Sequence, residues 1–129
     1  MLNDDVRAEL VRAALERRTV TYGHLMARFG LARGDEAGKT VVGVLGEIDR
    51  AEYVSGAPGF APIVVRKDTG YPGGGFFCWE DIPADLRRPK ERGNDPKLSQ
   101  AEKEFVRGQQ ERVWSYYRDR EGGGGRLDA

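Results

Sequence analysis

Few residues in this chain have the chemistry of a catalytic centre. It holds one histidine, His24, and one cysteine, Cys78. A general base needs a nucleophile or an orienting group within reach, and no Cys, Ser-containing motif or second ligand stands near His24 in sequence. His24 therefore reads as an exposed or capping residue of a helix. Metal binding through His24 and Cys78 would fall short of the usual three or four protein ligands. Cys78 lies between Phe77 and Trp79, and Glu80 and Asp81 next to it oppose thiolate formation. It reads as a small buried hydrophobe. The glycine run from Gly70 to Gly75 resembles a phosphate cradle only in composition. Such cradles open a helix whose N–H groups hold the anion, whereas here a second strand is expected and no Lys-Ser/Thr pair is present. No nucleophile, base and oxyanion donor come together, so the reading is of a protein that is not an enzyme, with no cofactor and no metal.

Cations and an aromatic side chain remain. Arg66 and Lys67 precede the glycine tip, and Arg28, Arg33 and Lys39 can add to the same face. Cations at groove spacing beside a tip without side-chain bulk suit phosphate contacts. Tyr71 at the tip could stack on a base or anchor a protein partner. Against nucleic acid stand the balance of 21 basic and 21 acidic residues and a pI near 6.6. The third helix also carries Asp35, Glu36, Glu47, Asp49 and Glu52, which would repel phosphates if they faced them.

The elements that would position these residues follow from periodicity and capping. A first helix is predicted over 4–17, with Asn3 as its cap and Val6, Leu10, Ala13 and Ala14 as its apolar stripe. The β-branched run 19–21 predicts a very short strand. Thr21 can cap a second helix over 22–29, which Gly30 ends in a left-handed conformation. A turn over 31–34 leads to a third helix over 36–52, capped by Asp35, with Val41, Val44, Leu45 and Ile48 inward. Residues 62–67 read as a strand, 68–75 as a broad turn and 76–79 as the return strand, which together form a wing. Residues 83–98 read as a basic surface linker broken by prolines. Ser99 and Glu102 form a capping box opening a helix over 99–120, whose aromatic residues must dock on the domain or on a second subunit. Four glycines make 121–129 a disordered tail.

This order predicts an α+β fold, a winged helix-turn-helix domain over 1–82 with a two-stranded wing and an additional C-terminal helix. At 129 residues such a chain buries about two-thirds of its unfolded surface and needs no disulfide. The single cysteine and the lack of a basic, apolar leader or a membrane-length apolar run predict a soluble, cytoplasmic protein.

Tyr22 and Gly23 after Thr21, then Lys39 to Leu45 in the next helix, then a proline and a Val-Val strand, together form a further pattern. It resembles the winged-helix DNA-binding domain of the O6-alkylguanine-DNA alkyltransferases and their alkyltransferase-like relatives, over about half the chain. The resemblance implies that Tyr22 matches the tyrosine that helps rotate a nucleotide out of the duplex. It places Lys39 where the family has an arginine that enters the stack, a departure because an ammonium does not replace a planar guanidinium. Val42 replaces a family glycine. The family's Pro-Cys-His-Arg active site is absent, since that region reads Ala57 to Ile63 without a thiol, so alkyl transfer is excluded. Val64 to Phe77 and Phe105 to Tyr117 are also similar to a set of small uncharacterised bacterial proteins, which implies no activity.

The function expected is non-catalytic binding of nucleic acid, double-stranded DNA above all, through the third helix and the wing. The site residues are Tyr22, Arg28, Arg33, Lys39, Arg66, Lys67 and Tyr71. The alternative is a protein-interaction module using the wing tip and the aromatic C-terminal helix, with a homodimer through that helix as a further expectation.

Overall fold

The computed structural model describes the backbone of residues 2–30, 35–79, 82–93, 95 and 97–128, and the side chains of these except 35–40, 74, 75 and 121–128. Among the described residues, four α-helices and a two-stranded parallel sheet form an α+β arrangement.

Helix α1 (Leu2–Leu15) buries Val6, Leu10, Ala13 and Ala14, the stripe its periodicity predicts. It begins before Asn3, so Asn3 does not cap it; the side-chain amide donates instead to Glu47 at 2.6 Å. Its end is a Schellman turn, with Arg18 N–H on the Ala13 carbonyl at 3.0 Å and Arg17 N–H on that of Ala14 at 3.2 Å. Arg17 takes the left-handed conformation, φ 54°, that glycine usually supplies at this position.

Strand β1 (Val20–Thr21) leads straight into α2 (Tyr22–Arg28). Thr21 Oγ1 accepts from His24 N–H at 3.0 Å, the expected cap, and Gly30 follows with φ 67°. Helix α3 (Asp35–Val54) buries Val41, Leu45 and Ile48. It starts at Asp35, so the residue expected to cap a helix over 36–52 is instead its first helical residue. A loop and a 3₁₀ turn (Ala61–Ile63) then deliver strand β2 (Val64–Val65), which pairs with β1 in parallel, Val20 beside Val64 and Thr21 beside Val65. A parallel pair needs a long crossover, and α2 with α3 provides it.

The expected return strand does not form. Residues Gly74–Cys78 are a 3₁₀ turn instead, so the two-stranded wing is corrected to a strand followed by a folded loop. Alternation along a strand would have sent Phe76 and Phe77 to opposite faces. In the turn Phe77 is fully buried, and Phe76 packs edge-on against it at 5.1 Å and beside Phe105 at 6.4 Å. The backbone bonds fit the turn: Phe76 N–H meets the Gly73 carbonyl three residues back, and the Phe77 carbonyl accepts from Arg88 N–H further along the chain.

Two apolar clusters result. The larger joins α1, α2, α3, Phe60, Ile63 and Val64 to Val113 and Tyr117 of α4 (Gln100–Asp128), with Phe60 stacked on Tyr117 at 5.0 Å. The smaller gathers Phe77, Ile82 and Val106, with Tyr71, Phe76, Leu86, Leu98 and Phe105 around them. Helix α4 therefore docks on its own chain, and Trp114 Nε1 donates to the Arg18 carbonyl at 3.2 Å. Its start is the expected capping box: Glu102 N–H on Ser99 Oγ at 3.1 Å, Ser99 N–H on Glu102 Oε1 at 2.8 Å. Its bounds include the glycines for which the sequence predicts a disordered tail; a helix already nucleated gains one hydrogen bond per added residue.

Candidate nucleic-acid interface

The segment after β2 folds back on itself before it reaches the second cluster. Arg66 N–H donates to the Tyr71 carbonyl at 2.9 Å, and Gly70 N–H to the Arg66 carbonyl at 2.8 Å. Gly70 has φ 76°, a conformation open to it because it lacks a Cβ. Pro72 is fully buried, and Gly73 N–H donates to the Tyr22 hydroxyl at 3.2 Å. Burial pushes the Tyr22 phenol above its ordinary pKa. Tyr22 is thus a strut between α2 and the loop, packed on the main core.

Tyr71 was expected to stand exposed at a tip. It is half-buried and held by α4: its hydroxyl accepts from Arg107 at 2.7 Å, with the Arg107 guanidinium 5.8 Å and the Lys103 ammonium 5.9 Å from its ring centre. The cause is the missing return strand, which lets the loop lie on the helix. Among the described residues, neither Lys103 nor Arg107 has a carboxylate partner. Lys67, exposed, lies on the turn that closes at Tyr71. Arg66 is different, because Asp68 binds its guanidinium through both oxygens at 2.9 and 2.7 Å and holds its own carboxyl below the usual range in doing so.

Four of the seven sequence-derived residues, Tyr22, Arg66, Lys67 and Tyr71, therefore meet around the 66–73 loop. Arg28 does not join them. It lies 4.0 Å from Glu9, whose carboxylate also meets His24 at 3.1 Å and Arg18 at 3.9 Å. The hydrogen bond from His24, before any other influence, holds the Glu9 carboxyl below its ordinary pKa. Arg33 lies outside the described residues, and Lys39 is placed only by its backbone in α3. Lys103 and Arg107 were missed by the sequence reading. Their i, i+4 spacing was visible, but the loop that they hold was not.

Two of the carboxylates that argued against phosphate contact by α3, Asp49 and Glu52, are buried and turned inward, while Glu47 stays exposed. Asp49, 2% exposed, accepts the N–H groups of Phe60 at 2.7 Å and Ala61 at 3.1 Å. Glu52 accepts from Arg7 at 2.6 Å and from the Tyr117 hydroxyl at 3.1 Å. Desolvation, with Glu52 alongside, drives the Tyr117 phenol far above its ordinary pKa. Glu47 holds Asn3. Outward stand Val42, Gly43 and Arg50, and an added Cβ at Gly43 or at half-buried Gly46 would meet nothing within 4 Å. These glycines serve no internal packing.

No family model, curated protein or solved structure matches this chain.

Elsewhere Cys78 is half-buried, with its thiol 3.7 Å from the Pro89 carbonyl, in the 3₁₀ turn rather than on a strand. Among the described residues no helix is long and apolar enough to cross a membrane.

Proposed function

We propose that the chain binds double-stranded DNA without catalysis, as a helix-turn-helix module of the winged type whose wing is reduced to the 66–73 loop. Lys67, Lys103 and Arg107 neutralise phosphates, and the outer face of α3, with Gly43 and Arg50 on it, approaches a groove. The observation that carries this reading is the pair of α4 cations set on Tyr71 beside Lys67 with no carboxylate partner among the described residues. Phosphate neutralisation needs cations that no acid already satisfies. Glycines facing outward lower helix stability by up to about 1 kcal/mol each, and a groove wall or backbone can come close to such a surface.

The protein-interaction alternative draws on surfaces that the chain uses internally. Tyr71 is engaged by Arg107, while Val113 and Tyr117 are in the core.

Titration of a labelled mixed-sequence duplex against salt tests the proposal. With three or four phosphates neutralised, the log-log slope of affinity on salt is about −3 to −4. Absence of duplex binding at low salt, where nonspecific contact is strongest, rejects it.

A further inference from the structure

Between the two apolar clusters lies an open cavity of ≈ 240 Å³, formed where the end of α3, the 58–62 loop, the residues Phe76, Trp79, Ile82 and Pro83, and the middle of α4 converge. Tyr53, Phe76, Trp79 and Phe105 contribute aromatic surface to it, and Gln109 and Arg112 contribute polar groups. None of these has entered the nucleic-acid reading.

The wall is rigidly built. Asp49 binds two successive backbone N–H groups of the loop, so its carboxylate is already committed to Phe60 and Ala61. Gly59 lies so close beneath it that an added Cβ would stand 2.5 Å from Asp49 Cγ and 2.9 Å from the Tyr53 hydroxyl. The loop is thus pressed directly onto α3 at the cavity's edge. Tyr53 and Trp79 leave 47% and 44% of their surfaces in water, although each borders a hollow large enough to have been closed over.

The polar complement specifies a ligand. Among the described residues, Arg112 and Gln109 form no ion pair or hydrogen bond. A guanidinium presents a planar fork suited to carboxylate or phosphate, and a carboxamide can orient a ring heteroatom. Aromatic walls favour stacking or edge-on contact with another ring. Size sets the limit: an engineered cavity of about 150 Å³ holds benzene, and drug-sized sites begin at about 300 Å³. A one- or two-ring ligand fits between those bounds.

We propose that this cavity binds a small planar aromatic anion, with its ring among Tyr53, Phe76, Trp79 and Phe105 and its anionic group on Arg112. The anion is a carboxylate or a phosphate borne directly by the ring.

The test uses the full chain and four probes: indole-3-carboxylate and phenyl phosphate, with indole and phenol as their neutral counterparts. Binding is read by calorimetry and by the shift of the Trp79 indole N–H resonance, assigned with Trp79→Phe. At least one anion binds about tenfold or more tightly than its neutral counterpart, as a charge-assisted hydrogen bond implies. Arg112→Gln removes that preference and leaves the neutral probe unchanged, while Trp79→Ala weakens both. Response to the indole acid alone identifies an aromatic carboxylate; response to phenyl phosphate alone identifies an aryl phosphate. No shift at Trp79 with any probe at millimolar concentration overturns the proposal. So does equal binding of anion and neutral ring that is insensitive to Arg112→Gln. Trp79 and Arg112 are both exposed, so these variants keep the fold, and unchanged thermal unfolding verifies it.

Discussion

Arg88 and Arg107 both reach α4, and they do opposite things there. Arg88 is buried. It grips Glu102 through two bonds of 2.6 and 2.8 Å, donates to the carbonyls of Asp95 and Lys97, and lies 5.2 Å over the Phe77 ring. Each of its donors therefore replaces a water that burial removed. Arg107 is exposed, and its side chain bonds the Tyr71 hydroxyl. The first guanidinium has its counter-charge within the fold and ties the Asp95 and Lys97 carbonyls to Glu102. The second has no carboxylate partner among the described residues. A count of arginines could not distinguish them.

The sharpest way to break this comparison is Glu102→Ala. It strands a buried guanidinium and removes half of the capping box, so urea unfolding should show a loss of about 3–5 kcal/mol, a large fraction of a small domain's stability. Acid offers a milder version of the same experiment. Arg88, before any other influence, holds the Glu102 carboxyl below its ordinary pKa. A carboxyl lowered by folding contributes its stability in full above the unfolded value of about pH 4.3. That contribution fades as pH falls through the lower, folded value. The acid limb of the stability curve should therefore flatten in Glu102→Gln.

Arg107→Ala and Lys103→Ala address the other partner in the comparison. Each should leave the urea midpoint nearly unchanged, reduce the salt slope of duplex binding by about 1, and weaken all duplex sequences alike. A large loss of stability instead would show that Arg107, like Arg88, serves the fold. The smallest effect is expected at Arg66. Its exposed pair with Asp68 is of the kind that contributes little, so Arg66→Ala should shift neither the melting temperature nor the salt slope measurably.

How much of this was legible in the sequence depended on range. Thr21 and the Ser99–Glu102 box were readable because each cap bonds three residues on, and the stripes of α1 and α3 because helical periodicity is local. The return strand was misread because Phe76 and Phe77 are settled by burial against Val106 and Phe105, which lie far along the chain. The same range hid the hold of α4 on Tyr71. It also made Arg88 look like one more charge of a surface linker, when its partner is the capping glutamate itself. Asn3 failed for another reason, since Glu47 on α3 offered its amide a partner that the first turn could not match.

The parallel pairing of Val20 with Val64 and Thr21 with Val65 has a kinetic consequence. It joins the two ends of the stretch that holds both α2 and α3, and closing so long a loop is entropically costly until the intervening helices have shortened the path. The pairing should therefore form after the rate-limiting step. Val64→Ala would accelerate unfolding and leave the refolding limb of the chevron nearly in place, whereas a refolding rate that dropped in proportion to the lost stability would put this junction in the nucleus.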